Sequence, residues 1–179
     1  LAAFEGVFET RESTPAYLFG WVDEKNEAVR MGLAAPGLLS FLVHRDFKTP
    51  VTGLDQFAPE DRPPVQISFQ TYHIMVALGM FFIALTLFSS FLLWRGTLFK
   101  AAWLLRFYVV AIALPYIANQ MGWIAAEVGR QPWVVYGLLR TKDSVSKSVD
   151  RSEVILSMIL FGFVYTLLFL LFLFILDRK

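Results

Sequence analysis

The chain has 179 residues, of which 56% are hydrophobic and 17% charged, with 18 Phe, 5 Trp and a mean hydropathy of +0.56. A soluble domain of this size would lack the polar residues to cover its surface, and the same apolar content excludes disorder. The absence of Cys excludes disulfides, thiolate zinc sites, iron–sulfur clusters and Cys nucleophiles from this chain, and a net charge of +1 argues against nucleic-acid binding.

Charge divides the sequence. Residues 1–65 carry ten acids and six bases, whereas residues 66–179 carry five acids and ten bases. The first part therefore reads as water-exposed and the second as membrane. The sequence starts at Leu1 without Met or a basic, signal-like segment, as expected of the later part of a longer chain or one half of a nicked one. Residues 1–64, interrupted by Pro15, Pro36, Pro50 and Pro59, are expected to form a partly ordered extramembrane loop with short helices near 23–31 and 37–43.

Three spans follow within residues 65–179. Val65–Trp94 contains no Asp, Glu, Lys or Arg and exceeds the about 20 apolar residues needed to cross a bilayer. Arg62-Pro63-Pro64 precedes it, and Trp94-Arg95 closes it at interface height. The second span, at 107–126, contains Pro115, which kinks a helix where neighbours cover the freed backbone group. The third, at 154–176, ends in Asp177-Arg178-Lys179. The expected fold class is an all-α integral membrane protein with three transmembrane helices and an extramembrane loop. Its linkers carry similar numbers of Lys and Arg on both sides, so charge does not orient the spans.

Ionisable and metal-ligating groups at membrane depth are functional candidates by default. His73 and Met75 lie about two turns into the first span. Glu127 closes the second, with Arg130 one turn later. Asn119, Trp123, Glu127 and Arg130 follow one another in steps of four, four and three, so they share a helix face. Gly122, Ala125, Ala126 and Gly129 around them leave room for a flat cofactor, although small residues also serve close helix packing. Glu127 and Arg130 also fit an ordinary i,i+3 ion pair. Met75 fits a core filler, and His73 is the commoner type of haem ligand. His73 and Met75 differ by roughly 200° around a helix, so at most one faces a given cofactor.

The segment from Gly122 to Trp133, Gly-Trp-Ile-Ala-Ala-Glu-Val-Gly-Arg-Gln-Pro-Trp, closely resembles the GWxxxExGRQPW signature of subunit I of cytochrome bd quinol oxidase. Leu1-Ala2-Ala3-Phe4-Glu5 resembles the start of that family's quinol-binding loop, and His73-Ile74-Met75-Val76 the start of its seventh membrane helix. The resemblance covers the whole chain, loosely over residues 11–65. It implies a nine-helix subunit of which this chain supplies the last three helices and the loop before them.

It further implies that Glu127 ligates the iron of high-spin haem b and Met75 that of low-spin haem b. Trp123 would lie against the haems, and Arg130 would neutralise a haem propionate or the ligand carboxylate. Glu5 would accept protons from quinol. His73 would be a polar neighbour of the haem edge or quinol site, or else a hydrogen-bonded core histidine. The ligands of haem d and the histidine opposite Met75 would belong to the preceding six helices. Activity would therefore need the N-terminal part of subunit I, subunit II and in some cases a small accessory subunit. The implied function is quinol oxidation coupled to reduction of O2 to water in a bacterial or archaeal cell membrane, building membrane potential without pumping. A different class of reading makes the chain a transporter or channel subunit, with Glu127 and Arg130 lining an ion path. A third makes it a purely structural membrane subunit.

Overall fold

The computed structural model describes residues 1–146 and 148–178; Lys147 and Lys179, which entered the charge comparison, lie outside the described residues. In the unit Leu1–Thr141, a one-turn helix α1 (Ala2–Glu5) ends at Gly6, whose φ of 63° lets the chain turn back. Strands β1 (Ala16–Asp23) and β2 (Ala28–Ala35) pair antiparallel, and helix α2 (Leu38–His44) follows. The expected helix near 37–43 is thus present, but the one near 23–31 is replaced by the hairpin turn. That turn is held by Asp23, whose carboxylate accepts from the backbone N–H groups of Lys25 and Asn26 and pairs with Arg30 at 2.6 Å. Short polar side chains that cap their own backbone favour such turns over helix.

The loop is more ordered than its Pro content suggests. Its apolar residues Val7, Phe8, Val22, Leu39, Val51 and Leu54 close around Phe69. That ring is wholly buried, which stabilises the docked loop by about 1.5–3 kcal/mol.

Phe69 belongs to α3 (Val65–Trp94), a helix of 30 residues. At 1.5 Å per residue it is about 45 Å long, well beyond the ~30 Å hydrocarbon core. Its surplus is its polar beginning. Gln66 accepts from Val22 N–H at 2.8 Å, and Gln70 donates to the Gly20 carbonyl at 2.6 Å. With His73 they recur at i, i+4 and i+7, one helix face, and that face carries the hairpin.

The second apolar span is longer than the expected 107–126 and broken within. It runs from Ala102 to Gly129 as α4 (Ala102–Ala111) and α5 (Leu114–Gly129). The break falls where Pro115 requires it: a proline lacks the N–H and its ring meets the carbonyl four residues earlier, here Ala111, the last residue of α4. The helix starts earlier because Arg106, exposed one turn into α4, does not end it. Helices α3 and α5 pack together, and α1 touches both. After α5 the chain forms a small antiparallel pair, β3 (Trp133–Val135) and β4 (Leu139–Arg140). Arg140 lies over the Trp133 ring at 4.8 Å and reaches Asp61 at 2.7 Å.

The second unit, Lys142–Lys179, contains α6 (Arg151–Asp177), which includes the expected 154–176. Among the described residues, three spans are thus long and apolar enough to cross a membrane, and two small hairpins qualify the all-α expectation.

Candidate functional site

Glu5 ends α1 and is only 6% exposed. Burial raises its carboxyl above the ordinary range, while the charge of His73 and a hydrogen bond from Tyr72 pull it back. Desolvation is the stronger influence, because a buried carboxylate loses its hydration before any partner restores it. Phe4 stacks on Tyr72 with ring centroids 5.4 Å apart, so α1 is seated by an aromatic contact immediately before its acidic residue.

His73 is buried beside Glu5 and stacks on Phe69 at 4.0 Å. Its Nδ1 lies 2.8 Å from the Phe69 carbonyl oxygen and its Nε2 2.8 Å from that of Tyr17. Carbonyl oxygens only accept, so both bonds are made together only when both ring nitrogens carry hydrogen. One bond is local to α3; the other fastens β1 to the helix.

Met75 points elsewhere, as the angle between positions 73 and 75 requires. It borders an open groove of about 840 Å³ with Gly79, Ala118, Asn119, Gly122 and Trp123. A Cβ added to Gly122 would lie 2.6 Å from the Met75 sulfur, so the thioether lies directly against the α5 backbone. Trp123, 62% exposed, flanks the same groove. Asn119, Trp123, Glu127 and Arg130 form the less covered face of α5, whereas Ala125 on the packed side is buried.

Glu127 and Arg130 pair with each other, and both side chains are partly exposed. Gln131 donates to the Glu127 carbonyl at 3.2 Å and accepts from Thr141 at 2.6 Å. A second cavity of about 580 Å³ lies between the loop and the end of α5, walled by Ala3, Leu54, Phe57, Arg62, Arg130 and Trp133.

The structure therefore brings Glu5 to His73, Met75 to Trp123, and Glu127 to Arg130. A thioether bordering an open groove, Met75, and a carboxylate on a little-covered helix face, Glu127, are side chains that could hold a flat metal-bearing cofactor. Among the described residues, no three His, Cys, Asp or Glu side chains gather into a chelating cluster. Sequence reasoning missed the part played by Phe4 and Tyr17. Phe4 is an unremarked apolar residue, and Tyr17 contributes a backbone carbonyl, so neither leaves a local signal.

The model of the family described as cytochrome bd terminal oxidase subunit I matches residues 1–179. Cytochrome bd ubiquinol oxidase subunit 1 of Bacillus subtilis (strain 168) is 36% identical over 191 residues, covering 100% of this chain and 41% of that protein. Cytochrome bd-II ubiquinol oxidase subunit 1 of Escherichia coli (strain K12) is 30% identical over 105 residues, covering 59% of this chain and 20% of that protein. The solved bd oxidase of Geobacillus thermodenitrificans superposes with a TM-score of 0.72 at 32% identity, over 99% of this chain and 40% of that one. The chain thus spans about two-fifths of the length of the Bacillus relative and of the Geobacillus structure. It is a multi-pass membrane chain of the cell membrane and belongs to the cytochrome bd terminal oxidase subunit I family.

Proposed function

We propose that this chain is the C-terminal part of subunit I of a terminal respiratory oxidase, one that oxidises membrane quinol and reduces O2 to water. Residues 1–64 are then part of the quinol-binding loop, and the three spans are the last of nine. Met75 ligates low-spin haem b and Glu127 ligates high-spin haem b, while haem d is held by the N-terminal part of subunit I. When bound, these haems supply the electron path between quinol and O2.

The residues of this chain bind, orient and move protons. Glu5 takes a proton from the quinol hydroxyl; its burial makes it hold a proton more readily than an exposed carboxylate, which suits a general base. Tyr72 and His73 orient the carboxyl and steady its charge before the proton arrives. Arg130 holds the Glu127 carboxylate at the end of α5, and its planar fork also suits a propionate. Trp123 provides a flat apolar wall one turn earlier. The enzyme works only with the N-terminal part of subunit I, subunit II and any accessory subunit. It lies in a bacterial or archaeal membrane, builds potential without pumping, and has the loop outside.

The observation that carries this reading is the placement of Met75 and Trp123 on one open, glycine-lined groove between α3 and α5. The ion-path reading is not favoured, because the family is one of oxidases and Glu127 and Arg130 close on each other. Reduced-minus-oxidised optical spectra of the complete complex test the ligand roles. Met75→Leu is expected to remove the low-spin b signal and Glu127→Ala the high-spin one. Unchanged bands in both variants would sink the assignment.

A further inference from the structure

We propose that Gly122 is a positioning residue that sets the direction of the Met75 thioether; this rests on Met75 being a haem ligand. A Cβ at position 122 would stand 2.6 Å from Sδ and 3.5 Å from Cγ of Met75, with no other neighbouring atom within 4 Å. Ordinary contact between non-bonded heavy atoms begins at about 3.5 Å, so the sulfur occupies space that only a hydrogen leaves open. The constraint is specific, because every atom in the way belongs to Met75. It is also asymmetric. Gly79, one turn from Met75 on the same groove, has nothing within 4 Å of its added Cβ, so the close approach belongs to α5 alone.

Glycine is a poor helix former, and its presence inside α5 has a physical reason at this contact. Met has three rotatable side-chain bonds and yields easily. A methyl group at position 122 is therefore accommodated by swinging the sulfur off α5, leaving the two helices at their present separation. The side chain that yields is the one whose sulfur must point along a fixed line to bind iron. Gly122 thus acts through Met75 and touches no substrate.

The test compares Gly122→Ala and Met75→Leu in the complete complex, each checked for subunit assembly and total haem. The readouts are the low-spin b spectrum and its midpoint potential, which a purely structural change would not move. A thioether raises haem potential. Gly122→Ala is therefore expected to lower that potential and weaken or abolish the low-spin signature, in the same direction as Met75→Leu. If Met75→Leu loses the signature while Gly122→Ala keeps the wild-type spectrum and potential, the positioning role is overturned. If Met75→Leu itself changes nothing, the ligand reading falls and this proposal with it. Should Gly122→Ala fail to assemble, a Met75→Ala/Gly122→Ala double variant decides. Recovery of assembly identifies Met75 as the obstacle and supports the proposal; no recovery overturns it.

Discussion

The two acids singled out in this chain occupy opposite surroundings. Glu5 is buried against Tyr72 and His73 at the end of α1. Glu127 lies partly exposed on a face of α5, where it pairs with Arg130, three residues on. A buried acid with its partners in place is built for proton affinity, whereas an acid on an uncovered face awaits something from outside the chain. The same contrast separates the two sides of α5. Gly122 and Gly129, seven residues apart and so on one face, admit Met75 and Phe4 from other elements, whereas Trp123 is largely exposed and Glu127 pairs within its own turn.

The strongest way to break that comparison is to exchange consequences. Glu127→Ala is expected to remove the high-spin b signal completely while leaving the loop as resistant to protease as before, because its side chain holds only Arg130. Glu5→Gln is expected to do the reverse of a ligand variant. Turnover with quinol should fall by about 10²–10⁴-fold, the usual worth of a positioned base, with every haem band retained. A Glu5→Gln enzyme of normal turnover would leave its enclosure a matter of packing alone.

Two smaller effects sharpen the enclosed side. Gly129→Ala would drive a Cβ into the edge of the Phe4 ring. A stacked ring yields less easily than a thioether, so overpacking of about 1–3 kcal/mol is expected, read as a lower melting temperature and faster cleavage in residues 1–64. His73→Ala removes the bond to the Tyr17 carbonyl. Leaving that part-buried acceptor unpaired costs at most about 1–3 kcal/mol, so amides of residues 16–35 should exchange faster while both b-type spectra stay unchanged. A spectral change instead would place His73 at a haem edge.

Much of this was legible in the sequence because membranes impose simple rules. The spans declared themselves by absence of charge, and the signature from Gly122 to Trp133 declared the family. The helix of the second span begins before the charge-free run at 107–126 because Arg106 lies one turn inside it. The hairpin was misread because Gly20 and Gly32 interrupt its alternation and its register shifts twice. The seating of the site was illegible for another reason. Tyr17 meets His73 across 56 positions, and no local pattern encodes which face of α5 turns toward Phe4.

The smallest expected effect concerns pH, and its sign follows from the burial of Glu5. Its carboxyl titrates higher in the folded chain than in an unfolded one, chiefly through desolvation. Below the ordinary carboxylate range both states are protonated, and burial carries no charge penalty. As pH rises through that range, the unfolded chain releases its proton first and the folded chain resists, so the docked loop loses stability until the raised folded value is passed. The charged and titratable groups acting on Glu5 are His73, Tyr72 and the Leu1 amino group, all of which favour the carboxylate and shrink the effect without reversing it. Protease susceptibility of the loop, measured for wild type and Glu5→Gln at each pH, isolates this contribution from all other titrations. The wild-type loop should become relatively more susceptible than the Glu5→Gln loop as pH rises from the acid side. A constant ratio would mean that the neighbours of Glu5 fully offset its burial.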